Sequence, residues 1–189
     1  MGKSDIRKKG ESTIEMILGK KWYALLTRSR FENVVTEAIQ KKSIDIFFPK
    51  IKVQSRRKDR TKMIDVPLFP GYLFVKISLD PGEHLNVVRT VGAVRLLGSQ
   101  SVPIPVSEQH IESLKIITST GYGLITGATS TLEQGEAVVV INGPMSGVKG
   151  EFLTHKGKGR VIIRVEALGQ FAGVEVDADD LERLPPILL

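Results

Sequence analysis

Residues 67–75 read Pro-Leu-Phe-Pro-Gly-Tyr-Leu-Phe-Val, and Lys76 and Ile77 follow them. The two prolines cannot donate a hydrogen bond to a β-ladder, whereas the residues after the glycine are types that strands favour. The pattern therefore predicts a rigid turn that leads into a strand. Since side chains alternate across a sheet, the aliphatic residues share one face, and Tyr72 and Phe74 share the other. We interpret the aliphatic face as core and expect the aromatic face to be covered, either by a helix of the same domain or by a partner protein.

Positive charge is concentrated just before this strand. The chain of 189 residues has 27 lysines and arginines against 21 acidic residues, a formal net charge of +6. Between Lys50 and Lys62 there are seven basic residues and one acidic residue, which is also a net charge of +6. The basic residues are Lys50, Lys52, Arg56, Arg57, Lys58, Arg60 and Lys62. Such a cluster on a hairpin or loop predicts binding of a polyanion, usually nucleic acid, and the alternative is a solvated loop.

Composition argues against several classes of function. The chain has no cysteine and three histidines that are far apart in sequence, so we expect no disulfide, metal or cofactor. No Gly-x-Ser-x-Gly or His-Glu-x-x-His motif is present, and we predict that the protein is not an enzyme. No apolar run approaches the roughly 18 residues that span a membrane, so we expect a folded protein in the cytoplasm with no membrane partner. We also expect the protein to be a monomer.

The chain before the basic segment predicts a tail, a strand and a helix. Residues 1–19 are polar and are expected to be an N-terminal tail. Residues 21–28 read as a strand. The next four residues, Ser29-Arg30-Phe31-Glu32, predict a capping box in which the serine starts a helix and the glutamate bonds back to it. The helix should cover a sheet with one apolar face.

The elements that follow predict an α+β fold for residues 20–118. Alternating apolar residues on both sides of the basic segment predict a hairpin with a basic tip, followed by the central strand. A short helix at 83–91, a strand at 93–97 and a helix capped by Ser107 complete this part of the chain. We expect an antiparallel sheet with helices on one face, a ferredoxin-like arrangement.

The C-terminal part predicts a second, all-β domain. Residues 119–132 are rich in Gly, Ser and Thr, and are expected to be a linker. Residues 133–189 contain four or five short strands separated by glycine-containing turns, which is typical of a small SH3-like barrel. β-branched runs such as Val138–Ile141 have poor helix propensity. We therefore predict that these residues form a permanent barrel and not helices.

Three motifs follow one another in the first part of the chain, and they are Lys21-Trp22-Tyr23-Ala24-Leu25, the stretch 67–75 and Val87-Val88-Arg89-Thr90-Val91-Gly92-Ala93-Val94. Their order resembles the N-terminal domain, called NGN, of the NusG family of transcription elongation factors. Residues 135–140, followed by Gly143-Pro144-Met145-Ser146-Gly147-Val148-Lys149-Gly150, look like its KOW motif. The resemblance covers about residues 20–185. It implies a factor that rides on RNA polymerase.

The resemblance also implies partners and sites. The NGN domain of the family docks on the clamp helices of the largest polymerase subunit, and by position in the motif Phe69, Tyr72 and Phe74 would contribute to that contact. The KOW loop, with Pro144, Met145 and Val148, would bind a protein partner such as Rho or a ribosomal protein. The basic segment would contact nascent RNA, for instance a leader hairpin, or DNA near the transcription bubble.

Two departures from the family pattern are informative. Met145 and Val148 stand where KOW loops often carry aromatic residues, which puts the Rho and ribosome contacts in question. The basic segment is larger than a general NusG needs, and it suggests a specialised antitermination paralogue of the LoaP kind. Two alternatives stay open: a general NusG-type elongation or pausing factor, and a KOW-type RNA-binding protein that acts away from polymerase.

Overall fold

The computed structural model describes residues 19–54, 62–99, 102–121, 124–128, 135–155 and 158–184. The fold is α+β, as predicted, with antiparallel strand pairing in every register that follows. Contacts divide the chain into two compact units. The first comprises the described residues up to Phe47 together with Gly71–Pro105, and the second comprises Phe48–Pro70 and the residues from Val106 onward.

A four-strand antiparallel path forms the sheet of the first unit, in the order β2-β5-β1-β6. Its strands are β1 (Lys21–Thr27), β2 (Asp45–Phe47), β5 (Tyr72–Ile77) and β6 (Ala93–Leu96). The predicted central strand is therefore β5, between β2 and β1. Leu73, Val75 and Ile77 are fully buried, which confirms the aliphatic face as core.

Helix α1 (Glu32–Gln40) packs on β2 and β5 with Val35 and Ile39 fully buried. The predicted capping box is wrong. The residue that flanks the helix start is Phe31, no side chain caps it, and Arg30 has the left-handed φ of 66°. Glu32, which should have bonded back to Ser29, instead accepts a hydrogen bond from the backbone N–H of Gly71.

Helix α2 (Pro81–Val88) packs on β6 and confirms the predicted short helix, beginning two residues earlier. Asp80 caps it by accepting hydrogen bonds from the backbone N–H groups of Gly82 at 2.9 Å and Glu83 at 3.1 Å. Hydrogen bonding from Ser78 is the main reason that the pKa of Asp80 is lowered from its ordinary value. After β6, the short strands β7 (Gly98–Ser99) and β8 (Val102–Pro103) pair with each other, and β9 (Pro105–Val106) follows.

The second unit contains the predicted hairpin and the last helix. β3 (Lys50–Gln54) pairs antiparallel with β4 (Met63–Pro67), so the hairpin is confirmed and its tip lies outside the described residues. Helix α3 (Glu108–Thr120) ends at Gly121, which takes a left-handed φ of 66°. None of the helices in the described ranges is long and apolar enough to cross a membrane.

The C-terminal strands form one six-stranded antiparallel sheet in the order β10-β14-β13-β12-β11-β15. The strands are β10 (Leu124–Ala128), β11 (Glu136–Val140), β12 (Lys149–His155), β13 (Lys158–Val165), β14 (Gln170–Glu175) and β15 (Leu181–Arg183). The predicted all-β domain is thus present as strands and not as a helical hairpin. Short 3₁₀ helices at Glu166–Leu168 and Ala178–Asp180 join the last strands.

The predicted linker at 119–132 differs from the structure. Helix α3 extends through Thr120, and Leu124–Ala128 pair along β14 as an edge strand. A Cβ at Gly127 would lie 2.7 Å from the Phe171 ring, so glycine allows the ring to cover this strand. The described glycines and threonines of this segment therefore belong to the end of helix α3 and to strand β10.

Candidate functional site

The turn before β5 is held by a buried carboxylate. Gly71 has a φ of 83°, a conformation that favours glycine, and its N–H donates to Glu32 Oε1 at 2.9 Å. Its carbonyl accepts from the backbone N–H of Thr27 at 2.8 Å and from Thr27 Oγ1 at 3.2 Å. Glu32 is only 8% exposed. The first residue of α1 and the end of β1 thus fix the point at which Tyr72 enters the sheet.

The three residues predicted to bind polymerase differ in exposure. Tyr72 is half-buried, opposite Leu26 of β1. Phe74 is fully buried, opposite Ala24, and its ring stacks on Phe47 with 6.1 Å between centroids. Phe69, which belongs to the second unit, is also fully buried. Phe74 is therefore a core residue whose ring is covered within this chain, and its contribution to a polymerase contact stays a prediction.

The same face of the sheet carries a cation beside an aromatic ring. Lys76 pairs across the strands with Trp22, and its Nζ lies 5.9 Å from the centre of the Trp22 ring. This distance is within the range of a cation–π contact. Trp22 is buried, as expected of a structural residue, whereas Lys76 is half-buried.

The described basic residues of the hairpin lie on strand β3 and directly before strand β4. Lys50 is half-buried and its Nζ lies 4.5 Å from the centre of the Phe48 ring. Lys52 and Lys62 are exposed. The remaining predicted cations lie outside the described residues, and they are Arg56, Arg57, Lys58 and Arg60.

Two of the three residues predicted to bind a partner through the loop of the barrel are buried. Pro144 is exposed, but Met145 is 5% exposed and Val148 is fully buried. Helix α3 contributes to this burial, because Thr120 Oγ1 lies 3.2 Å from Met145 Sδ. Ser113 Oγ donates to the carbonyl of Lys149 at 3.1 Å and accepts from its N–H at 2.9 Å. Within the described residues, no group of three histidine or acidic side chains could hold a metal ion.

Sequence reasoning missed Glu32 as the anchor of the turn and Ser113 as the anchor of the loop. Glu32 had a local explanation in the capping box, and Ser113 is an ordinary polar residue within a helix. An acidic residue in the first turn of a helix that makes no capping bond indicates a partner elsewhere in the chain. This indication can be used only once the helix boundary is known. Neither long-range bond is visible in local sequence.

Comparison with known proteins identifies the first part of the chain. Residues 20–115 match the family described as transcription termination factor nusG, and this stretch includes the Gly71 turn and strand β5. The chain belongs to the NusG family. It is accordingly a transcription factor of the NusG type, associated with termination and antitermination.

Individual NusG proteins match most of the chain at low identity. The transcription termination/antitermination protein NusG of Helicobacter pylori (strain J99) is 25% identical over 174 residues, which cover 86% of this chain and 98% of that protein. The NusG of Staphylococcus aureus (strain Mu50) is 27% identical over 183 residues, which cover 90% of this chain and 99% of that protein. A solved structure of Thermotoga maritima NusG, concerned with its domain interaction, is 21% identical, covers 88% of this chain and 98% of its own, and has a TM-score of 0.49.

Proposed function

We propose that this NusG-family protein is an RNA polymerase-associated elongation factor that acts in processive antitermination. In this proposal its NGN part docks on the clamp helices of the largest polymerase subunit. Its basic hairpin contacts nucleic acid, and the loop of its barrel receives a protein partner.

The observation that carries the polymerase contact is the fixed and partly exposed position of Tyr72. Gly71, just before it, is bonded through both backbone groups to two other elements, so the tyrosine leaves a rigid turn. Phe74 stacks on Phe47 and supports the same face from within the core. An aromatic residue on a preorganised surface is typical of an interface anchor, because little conformational entropy is lost when it binds.

The role of the basic hairpin rests on charge. The segment from Lys50 to Lys62 accounts for a net charge equal to that of the whole chain, +6. A two-stranded stem with exposed Lys52 in β3 and exposed Lys62 just before β4 can present such charge to a phosphate backbone. We propose that this segment, with Arg56 and Arg57 as its main contacts, binds leader RNA and supplies selectivity. DNA near the bubble is the competing ligand for the same charges.

A titration of the full chain with an isolated clamp-helix fragment of polymerase tests the docking. Tyr72→Ala should weaken binding by more than about 1 kcal/mol, as truncation of an interface anchor does, and leave the fold intact. Val34→Ala is the matched control, because Val34 is an exposed apolar residue of α1, 49% exposed. If the wild-type chain binds RNA but not the clamp helices, the protein acts away from polymerase. Equal binding by Tyr72→Ala and wild type would place the contact elsewhere.

A further inference from the structure

The stem formed by β3 and β4 has two chemically different faces, because directly opposite residues of an antiparallel pair share a face. Its apolar face consists of two pairs, Ile51 with Val66 and Val53 with Ile64. Its polar face consists of the alternate pairs, Lys50 with Pro67, Lys52 with Asp65 and Gln54 with Met63. On the apolar face only Ile64 is exposed, whereas both members of the Lys52 and Asp65 pair are exposed. The polar face is therefore the side of the stem that is open to a ligand.

An aromatic ring lies at the base of this polar face. Phe48, just before β3, is half-buried, and Lys50 Nζ lies 4.5 Å from the centre of its ring. Lys50 and Lys52 are two residues apart on the same face, so their Cα atoms are about 7 Å apart. The ring of Phe48 and the pair of Lys52 with Asp65 are therefore close enough for one nucleotide to reach both.

Asp65 is an unexpected residue on a surface that binds phosphate. The segment from Lys50 to Lys62 has a net charge of +6, and a carboxylate directly opposite Lys52 weakens the attraction of that lysine for phosphate. A carboxylate only accepts hydrogen bonds, and its two oxygens suit a group with two adjacent donors. Among the four bases of RNA, guanine alone has two adjacent donors on its Watson–Crick edge, the N1–H and the 2-amino group. That edge is accessible when the base is unpaired.

We propose that the polar face of the β3–β4 stem binds one unpaired guanine. Asp65 accepts hydrogen bonds from the N1–H and the 2-amino group, and Lys52 contacts an adjacent phosphate. The base stacks on the ring of Phe48, where it replaces the ammonium group of Lys50, and that group then pairs with phosphate. This inference rests on the proposed contact of the basic hairpin with nucleic acid, and it names the base that the stem selects.

Fluorescence anisotropy of the full chain with labelled single strands tests the selection. The probes are oligouridine strands of equal length with one central guanosine, adenosine or inosine. The wild-type chain should bind the guanosine probe about five- to tenfold more tightly than the adenosine probe, the low end of what a bidentate base contact provides. Inosine keeps the N1–H but lacks the 2-amino group, so its probe should lose most of that advantage. The matching DNA probes distinguish a transcript from a displaced DNA strand as the source of the guanine, and a guanine preference in either supports the inference.

Asp65→Asn separates base recognition from electrostatics. Asparagine has one acceptor oxygen and no charge, so this variant should bind the guanosine and inosine probes equally and plain oligouridine slightly more tightly than wild type does. Phe48→Leu keeps apolar bulk without a flat ring, so it should weaken binding of the guanosine and adenosine probes alike. Glu37→Gln is the matched control, because it removes the same charge at an exposed position of α1 and should retain the guanosine preference.

Two results overturn the inference: equal binding of the guanosine and inosine probes by the wild-type chain, or a guanosine preference that survives in Asp65→Asn. In either case, salt-dependent binding of every probe would leave the proposed contact of the hairpin with nucleic acid standing. No binding of any probe would overturn that contact together with the inference. Clamp-helix binding through Tyr72 is measured separately and is unaffected by these outcomes.

Discussion

Glu32 shows how one residue connects a helix to the surface proposed for polymerase. Its carboxylate is 8% exposed and accepts the N–H of Gly71 at 2.9 Å. Glu32→Ala leaves that N–H without its partner and should lower the free energy of unfolding by about 1–3 kcal/mol. Glu32→Gln retains an acceptor oxygen and should cost less. Urea unfolding of both variants checks this, and equal loss in the two would mean that the charge, rather than the hydrogen bond, is what matters.

Phe74 and Tyr72 should respond differently to truncation, although they lie on the same face of β5. Phe74 is fully buried and stacks on Phe47, so Phe74→Ala should lower the free energy of unfolding by about 3–5 kcal/mol. Tyr72→Ala, at a half-buried position, should cost far less. Thermal unfolding of the two variants provides the comparison. If Phe74→Ala unfolds like wild type, the ring is not part of the core.

The contrast between these two residues shows how much the alternation of side chains along a strand can predict. The period of two correctly separates Leu73, Val75 and Ile77 from Tyr72 and Phe74, because it follows from the geometry of a strand. It cannot tell which residue on the second face is covered, since the cover, such as Phe47, comes from a distant part of the chain. The motif resemblance located this surface, but not the exposure of each side chain.

At the scale of elements, the edge strand β10 lies within the segment that the sequence predicted to be a linker, and its composition explains why no strand was predicted there. Its sequence, Leu-Ile-Thr-Gly-Ala, is short and carries a glycine, which strands disfavour. Its order comes from pairing with β14 and from the Phe171 ring beside Gly127, both of which are tertiary. The barrel strands were predictable, by contrast, because their β-branched runs and turn glycines are local signals.

Helix α3 carries a histidine whose titration should affect the second unit. Burial lowers the pKa of His110 from its ordinary value of 6.5, against the opposing influence of Glu166 and Glu151. The unfolded chain therefore binds a proton more readily than the folded one between the folded pKa and 6.5. Stability contributed by the neutral histidine is present above pH 6.5 and is lost as the pH falls through the folded pKa.

We therefore expect the urea midpoint of the second unit to fall between pH 7.5 and pH 5.5. His110→Gln, which cannot titrate, should reduce that fall, and His84→Gln on α2 is the matched control that should retain it. Circular dichroism of the β-sheet follows the transition. An identical pH dependence in His110→Gln and wild type would assign the effect to other groups.

At the scale of the whole molecule, the division of the chain by contacts differs from the division by motifs. The sequence predicts domains at 20–118 and 133–189, whereas the structure groups β3, β4 and α3 with the barrel strands. The predicted domains are based on the order of the family motifs. The compact units are based on contacts, which include the hydrogen bonds between Ser113 and Lys149. The domain boundaries predicted from sequence therefore stay a prediction about functional parts of the chain. They do not coincide with the compact units of the structure.

Net charge is the other property of the whole molecule that sequence alone supplies, and it leads to a quantitative prediction about RNA. If all seven cations from Lys50 to Lys62 contacted one strand, the logarithm of affinity would fall with the logarithm of salt with a slope of about −5. A fourfold rise in salt would then weaken binding on the order of a thousandfold, and partial engagement would give a shallower slope. Arg56 and Arg57 should matter most, because a guanidinium can fork onto phosphate or stack on an unpaired base.

Mobility shifts with a structured leader RNA, a scrambled RNA of equal length and duplex DNA separate the possible ligands. Arg56→Ala combined with Arg57→Ala should reduce the slope by up to about 1.4, since each phosphate contact on a single strand contributes about 0.7, and should remove the preference for leader over scrambled RNA. Lys21→Ala combined with Lys41→Ala removes the same charge at exposed positions outside the segment and should preserve that preference. Equal affinity of the wild-type chain for all three nucleic acids would contradict selectivity, because phosphate contacts alone carry no sequence information. The segment would then be a general electrostatic contact, and recruitment to particular transcripts would have to come from another part of the protein.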